Sequence, residues 1–155
     1  MTLGDILDAN TIVVDLKATD RWEVIDELID CLVQAGRIRP EHRDSIIAVV
    51  RKRETSMSTG IGYGIGIPHG TTDLIQDVVG AFGRSSKGLG FDALDNQPVT
   101  LVMLFLVPQG QFQKHLHTLA HIANLLRQEQ FRQALEQAPD AAAMFRIIKE
   151  NSTGK

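Results

Sequence analysis

Cysteine is nearly absent from this 155-residue chain. The single one, Cys31, has no partner for an internal disulfide, which fits a reducing compartment. A basic excess is absent too. The formal net charge of -3 offers no electropositive face for a polyanion, so nucleic acid is excluded as an expected partner and small molecules or proteins remain. Long hydrophobic runs are also missing: the longest, Leu101 to Val107, is far short of the ~20 residues that cross a bilayer. The N-terminus, Met1-Thr2-Leu3-Gly4-Asp5, has an early acid and neither a basic region nor an apolar core. No signal peptide is expected, and the chain reads as cytoplasmic. There is no internal repeat and no linker. With 43% hydrophobic and 23% charged residues, the chain suits one globular domain with its own core. Residues 1–150 are read as that domain, and residues 151–155, Asn-Ser-Thr-Gly-Lys, as a polar, frayed tail.

What is present is an alternation of helical and extended patterns. After a helical turn around Leu3 to Asp8, Thr11 to Leu16 reads as a short strand. Asp20 offers a helix N-cap with Glu23 three residues on, the capping-box spacing. Trp22, Ile25, Leu28, Ile29 and Leu32 then recur at helical intervals until Gly36. A second helix opens near Pro40, buries Ile46, Ile47, Val49 and Val50, and ends on Arg51-Lys52-Arg53, cations where the helix dipole is negative. Val78 to Phe82 and Val99 to Val107 read as strands. The second has no polar residue after Thr100, the pattern of a strand buried on both faces. Pro108-Gln109-Gly110 closes it. Leu116, Leu119, Ile122, Ala123 and Leu126 mark an amphipathic helix, and further helices run through Phe131–Leu135 and Ala141–Ile148, separated by Pro139. Helices at both ends with strands between them predict a one-domain α/β sandwich.

The chemistry-bearing stretch is Gly60-Ile61-Gly62-Tyr63-Gly64-Ile65-Gly66-Ile67-Pro68-His69-Gly70. Its glycines let another molecule approach the main chain closely, and Pro68 biases Ile67 towards an extended conformation. The geometry around His69 is thereby restricted, and imidazole is both a nucleophile and a base near neutral pH. A lone histidine in a turn is ordinarily satisfied by backbone hydrogen bonds; the glycine context favours chemistry here. Glycine loops do cradle phosphates. This one is neither a P-loop nor a dinucleotide fingerprint, because it lacks the third glycine at the required spacing and follows a helix instead of a strand. Nucleotide binding is excluded on that ground.

Other candidates lie in His115-Leu116-His117-Thr118-Leu119-Ala120-His121. On a helix His117 and His121 share a face, but no carboxylate or cysteine completes a ligand set, so no metal is expected. His115 sits at the amino end of that helix, where an anion is welcome. Arg53 and Thr59 flank the glycine segment. Arg53 as an isolated residue would be a solvated helix-end cation; beside an anion pocket its fork of donors suits phosphate, and Thr59 adds a hydroxyl. Cys31 is read as core packing and His42 as surface.

Together, Arg53-Glu54, Ser58-Thr59-Gly60-Ile61-Gly62 and Gly64-Ile65-Gly66-Ile67-Pro68-His69-Gly70 closely resemble the active-site signature of the fructose/mannitol-type enzyme IIA domains of the bacterial phosphoenolpyruvate-dependent phosphotransferase system. The resemblance extends through Phe91 to Val99, Leu106-Val107-Pro108 and His115 to Leu119, and is nearest the family's nitrogen-regulatory branch. One departure is Gly66, where the family usually has alanine; it is expected to loosen the backbone beside His69. The resemblance implies a mixed β-sheet flanked by helices. It further implies that His69 accepts a phosphoryl group from a nitrogen-type, HPr-like phosphocarrier protein, that His115 is the second active-site histidine, and that Arg53 steadies the phosphate.

Phosphoryl transfer needs mostly alignment and stabilisation of spread negative charge. Main-chain N–H groups of the glycine segment, with Thr59, Gly60, Gly62 and Gly70 as phosphate-binding positions, would supply this with Arg53 and His115, without a metal or cofactor. The expected output is regulation of downstream proteins. The alternative is a separate IIA subunit that passes phosphate to the IIB domain of a fructose- or mannitol-type permease. A non-catalytic binding module and a metal-dependent hydrolase compete from other classes.

Overall fold

The computed structural model describes residues 2–91, 93 and 95–152. In chain order the elements are α1 (Leu3–Ile6), β1 (Ile12–Val13), α2 (Arg21–Gln34), α3 (Arg43–Ser56), β2 (Gly60–Gly62), β3 (Ile65–Gly66), β4 (His69–Thr72), β5 (Val79–Leu89), β6 (Val99–Pro108), α4 (Phe112–Leu126), α5 (Glu129–Gln137) and α6 (Ala141–Ser152). One sheet orders the strands β1-β5-β6-β3-β2, with β4 also paired to β6. It is mixed: β6 runs antiparallel to β5 and parallel to β3 and β4. The unbroken apolar sequence of β6 has the expected consequence. Leu101, Met103, Phe105 and Val107 enter a core shared with α4, α5 and α6, while Val102, Leu104 and Leu106 enter a second core shared with α2 and α3. The α/β sandwich with helices on both faces is therefore the observed architecture. No helix among the described residues is long and apolar enough to cross a membrane.

Local differences from the sequence reading have physical causes. Asp20 caps α2 by accepting the Glu23 N–H at 2.8 Å. The Glu23 carboxylate, however, takes the N–H and hydroxyl of Thr19 instead of closing the box on Asp20. Helix α3 continues past its cationic triplet to Ser56, so Arg53 and the buried Glu54 both lie in its last turn. Cys31 is half-buried, and its thiol donates to the Asn10 carbonyl. Asn151 and Ser152, read as tail, instead end α6: Ser152 is buried and its hydroxyl donates to the Ile148 carbonyl. Residues 153–155 lie outside the described residues.

Strand β5 outruns its apolar start at Val78–Phe82 and carries on through polar residues to Leu89. Arg84 is the fastener. Its Nε donates to the Val14 carbonyl (3.0 Å), and its Nη1 donates to the carbonyls of Leu135 (2.9 Å) and Ala138 (2.6 Å). The guanidinium thus adds to the long Ala138 N–H bond at the Leu135 carbonyl (3.4 Å), takes the carbonyl of Ala138 just past α5, and ties both to the exit of β1. Arg84→Met should cost about 2–4 kcal/mol of stability, because these carbonyls lose their charged donor and Leu135 keeps only the long Ala138 bond. Urea unfolding measures this, and a loss under about 0.5 kcal/mol would show that solvent replaces the guanidinium.

Candidate functional site

The glycine-rich segment is folded into strands, not an open loop. β2 and β3 pair antiparallel across a turn at Tyr63 and Gly64, whose φ values of 60° and 77° both lie in the left-handed region. Such a two-residue turn matches the twist of a hairpin. Asp95 steadies it by accepting the Tyr63 N–H at 3.3 Å. Gly66 does not loosen the backbone, as the sequence suggested. A Cβ there would lie 2.6 Å from Cζ and 2.9 Å from Cε1 of the buried Phe91 ring, so the glycine is the space that the ring occupies.

His69 is the first residue of β4. Its position is set by ladder bonds on either side: the Phe105 N–H donates to the Pro68 carbonyl (3.0 Å), and the Gln109 N–H to that of Thr72 (2.8 Å). Alternate residues of a paired strand address the partner, so Gly70 and Thr72 face β6 and His69 turns its own peptide groups to the open edge. The ring is half-buried and stacks on Phe112 at the start of α4, with centroids 5.9 Å apart and planes 15° from parallel. Nδ1 lies 2.8 Å from the Ile67 carbonyl oxygen. A carbonyl can only accept, so Nδ1 carries the proton and Nε2 keeps a free lone pair. Burial pushes the pKa of His69 below the ordinary imidazole value; the Ile67 bond opposes this, the Arg53 charge adds to it, and the Glu54 charge opposes it. The neutral, nucleophilic ring is the favoured form.

Two open clefts meet at His69. One, of about 410 Å³, is walled by Arg53, Met57, Thr59 and Gly60 on one side and by Leu116 and Leu119 of α4 on the other. The second includes Lys52, Arg53, Gly70, Thr71 and Phe112. The structure thus brings Arg53, Thr59, Gly60 and Gly70 to the histidine, whereas Gly62 and His115 line neither cleft. His115 is buried one turn after Phe112, and burial with the nearby Lys114 charge lowers its pKa. Several expected phosphate donors are already engaged. The Thr59 hydroxyl donates to Glu54 Oε1 (2.6 Å), its N–H to Oε2 (2.9 Å), and the Gly60 N–H to the Ser58 hydroxyl oxygen (3.1 Å). Arg53, half-exposed, spends one Nη1 bond on the Met57 carbonyl (2.9 Å) and keeps other donors for a ligand.

No group of three or more metal-ligating side chains occurs among the described residues. Sequence reasoning gave no role to Phe112, Glu54 or the Ile67 carbonyl. Only a polar residue at the apolar-facing position after Arg53 hinted at Glu54.

The family model described as "Phosphoenolpyruvate-dependent sugar phosphotransferase system, EIIA 2" matches residues 5–151. Among curated relatives, a "Nitrogen regulatory protein" of Bradyrhizobium diazoefficiens is 31% identical over 148 residues, covering 96% of this chain and 95% of its own. The "PTS system fructose-specific EIIABC component" of Bacillus subtilis is 33% identical over 153 residues, but the chain covers 97% of itself and only 24% of that longer protein. Among solved structures, nitrogen regulatory protein IIA-Ntr from Neisseria meningitidis superposes with a TM-score of 0.84 at 29% identity, covering 94% of this chain and 98% of that one. IIA mannitol from Escherichia coli shares the fold, with a TM-score of 0.76 at 22% identity over 92% of this chain and 98% of that one.

The Phe91 contact generates a test. Gly66→Ala should destabilise the chain by about 1–3 kcal/mol through overpacking. Adding Phe91→Leu should recover much of that loss. Equal thermal stability of Gly66→Ala and wild type would mean that the ring yields freely.

Proposed function

The chain belongs to the EIIA 2 family of the phosphoenolpyruvate-dependent phosphotransferase system, and as a phosphoryl carrier of that system we propose that it works through Nε2 of His69. The single observation that carries this reading is the Nδ1–Ile67 bond, which leaves Nε2 unprotonated in a cleft beside Arg53. Nε2 attacks the phosphorus of a phosphohistidine donor on an HPr-like protein of nitrogen type. The donor's P–N bond breaks, a P–N bond forms on Nε2, and the proton on Nδ1 stays in place. Charge spreads over the transferring oxygens, and Arg53 answers it. Exposed Met57 and Leu116 give the cleft an apolar rim for a docking protein. His115 takes the part of second histidine by family resemblance; His115→Ala should slow transfer, and a wild-type rate would remove it from the site.

The phosphoryl group then presents roughly two negative charges for partner proteins to read, offset in part by the ring that keeps its Nδ1 proton. Regulation of such partners is favoured by the likeness to nitrogen regulatory proteins along nearly the whole chain. The likeness to fructose-specific components supports a second reading, delivery of phosphate to a IIB domain. Mixing the phosphorylated chain with a purified fructose-type IIB domain decides between them: rapid, complete transfer supports the second.

Incubation with phosphoenolpyruvate, enzyme I and an HPr-type carrier should yield an acid-labile, base-stable phosphate that His69→Ala abolishes. Labelling that survives this substitution would sink the assignment. The sign of the pH effect follows from the lowered pKa of His69. Acceptance should hold steady as pH falls from about 8 through the ordinary imidazole pKa of about 6.5, and drop only below it, as Nε2 gains a proton. A rate already halved at about pH 6.5 or above would contradict the buried, neutral ring.

A further inference from the structure

A buried carboxylate stands behind the site without a part in the chemistry above. Glu54, 1% exposed, lies in the last turn of α3. Its Oε2 accepts the Thr59 N–H (2.9 Å) and Arg21 Nη1 (3.2 Å), and its Oε1 accepts the Thr59 hydroxyl (2.6 Å). Thr59 is therefore gripped through main chain and side chain at once. Its carbonyl accepts the Ile67 N–H (3.1 Å), and the Ile67 carbonyl accepts Nδ1–H of His69 (2.8 Å). A continuous hydrogen-bonded line thus runs from a fixed anion to the reacting ring.

We propose that Glu54 is the positioning residue for His69, acting through Thr59 and Ile67 to hold the ring with Nδ1 protonated and Nε2 open to the cleft. The proposal rests on the reading of His69 as the phosphoryl acceptor. Through intervening residues Glu54 does what a directly bonded carboxylate does for the histidine of a hydrolase triad: it fixes tautomer and orientation. A purely structural plug at this position would not need a charge, since a well-packed apolar side chain is often as stable as a buried ion pair. Among the described residues around His69, the charged groups are Lys52, Arg53 and Glu54, all from α3; α4 faces it with Phe112, Leu116 and Leu119. Glu54 is the one anion among them, and its charge favours the proton on the ring that the Arg53 charge disfavours.

Nitrogen-15 NMR of the imidazole in the whole chain tests this. Wild type should show the Nδ1–H tautomer of neutral His69. Glu54→Gln should mix in the Nε2–H tautomer, lower the titration midpoint of His69, and slow phosphoryl acceptance on the order of 10- to 100-fold. Thr59→Val, similar in shape and lacking only the hydroxyl, should move the same readouts less, and it decides the matter if Glu54→Gln does not fold. Unchanged tautomer and midpoint in the folded variants would overturn the proposal, even where transfer rates fall. The ring spectrum needs no phosphoryl donor. A wild-type chain that takes up no phosphate would therefore overturn the acceptor reading while the tautomer still judges Glu54.

Discussion

The pairing of residues 65–72 along one edge of β6 is the constraint on which the site depends. β6 is buried on both faces, so its peptide groups must find partners within the sheet. β5 serves one edge; β3 and β4 share the other. The break between them falls at Ile67-Pro68. Proline has no N–H, so the interruption strands no donor, and its carbonyl still accepts from Phe105. By the alternation along a paired strand, Ile67 turns its peptide groups away from β6, and its carbonyl meets Nδ1 of His69. That outward-facing carbonyl is what orients the imidazole.

The electrostatics around this ring are one-sided by design of the chain. Arg53 and Glu54 are neighbours in α3, yet the first is half-exposed at the cleft and the second is buried behind it. Incoming negative charge therefore meets the cation first. The remaining walls are largely apolar, with Phe112, Leu116 and Leu119 from α4. Low local polarity strengthens the pull of Arg53 on any anion that enters the cleft and favours the neutral form of the ring.

Much of the frame was legible in the residue pattern. Strand β6 followed from an apolar run without polar interruption, and α2 from its cap and spacing. His69 stood out because glycine and proline around it restrict local geometry. Glu54 did not, since its partners are Thr59, five residues on, and Arg21, thirty-three back. The polar half of β5 was hidden for a similar reason: Arg84 is explained by carbonyls of Val14, Leu135 and Ala138, all remote in sequence. Thr59 and Gly60 were expected to offer donors to a phosphate, but local bonds to Glu54 and Ser58 claim them. Gly66 was misread as slack because nothing nearby in sequence reveals Phe91 pressing against it.

By itself, then, the sequence determined the main helices, the doubly buried strand and His69 as the candidate acceptor, because each rests on short-range periodicity or on the backbone limits of glycine and proline. The tertiary structure alone decided which nitrogen of His69 is free, that Arg53 shares its clefts while His115 lines neither of them, and that Phe112 stacks on the ring. Those facts depend on which distant segments the sheet brings within hydrogen-bond or van der Waals reach, and that distance is not written in any local run of residues.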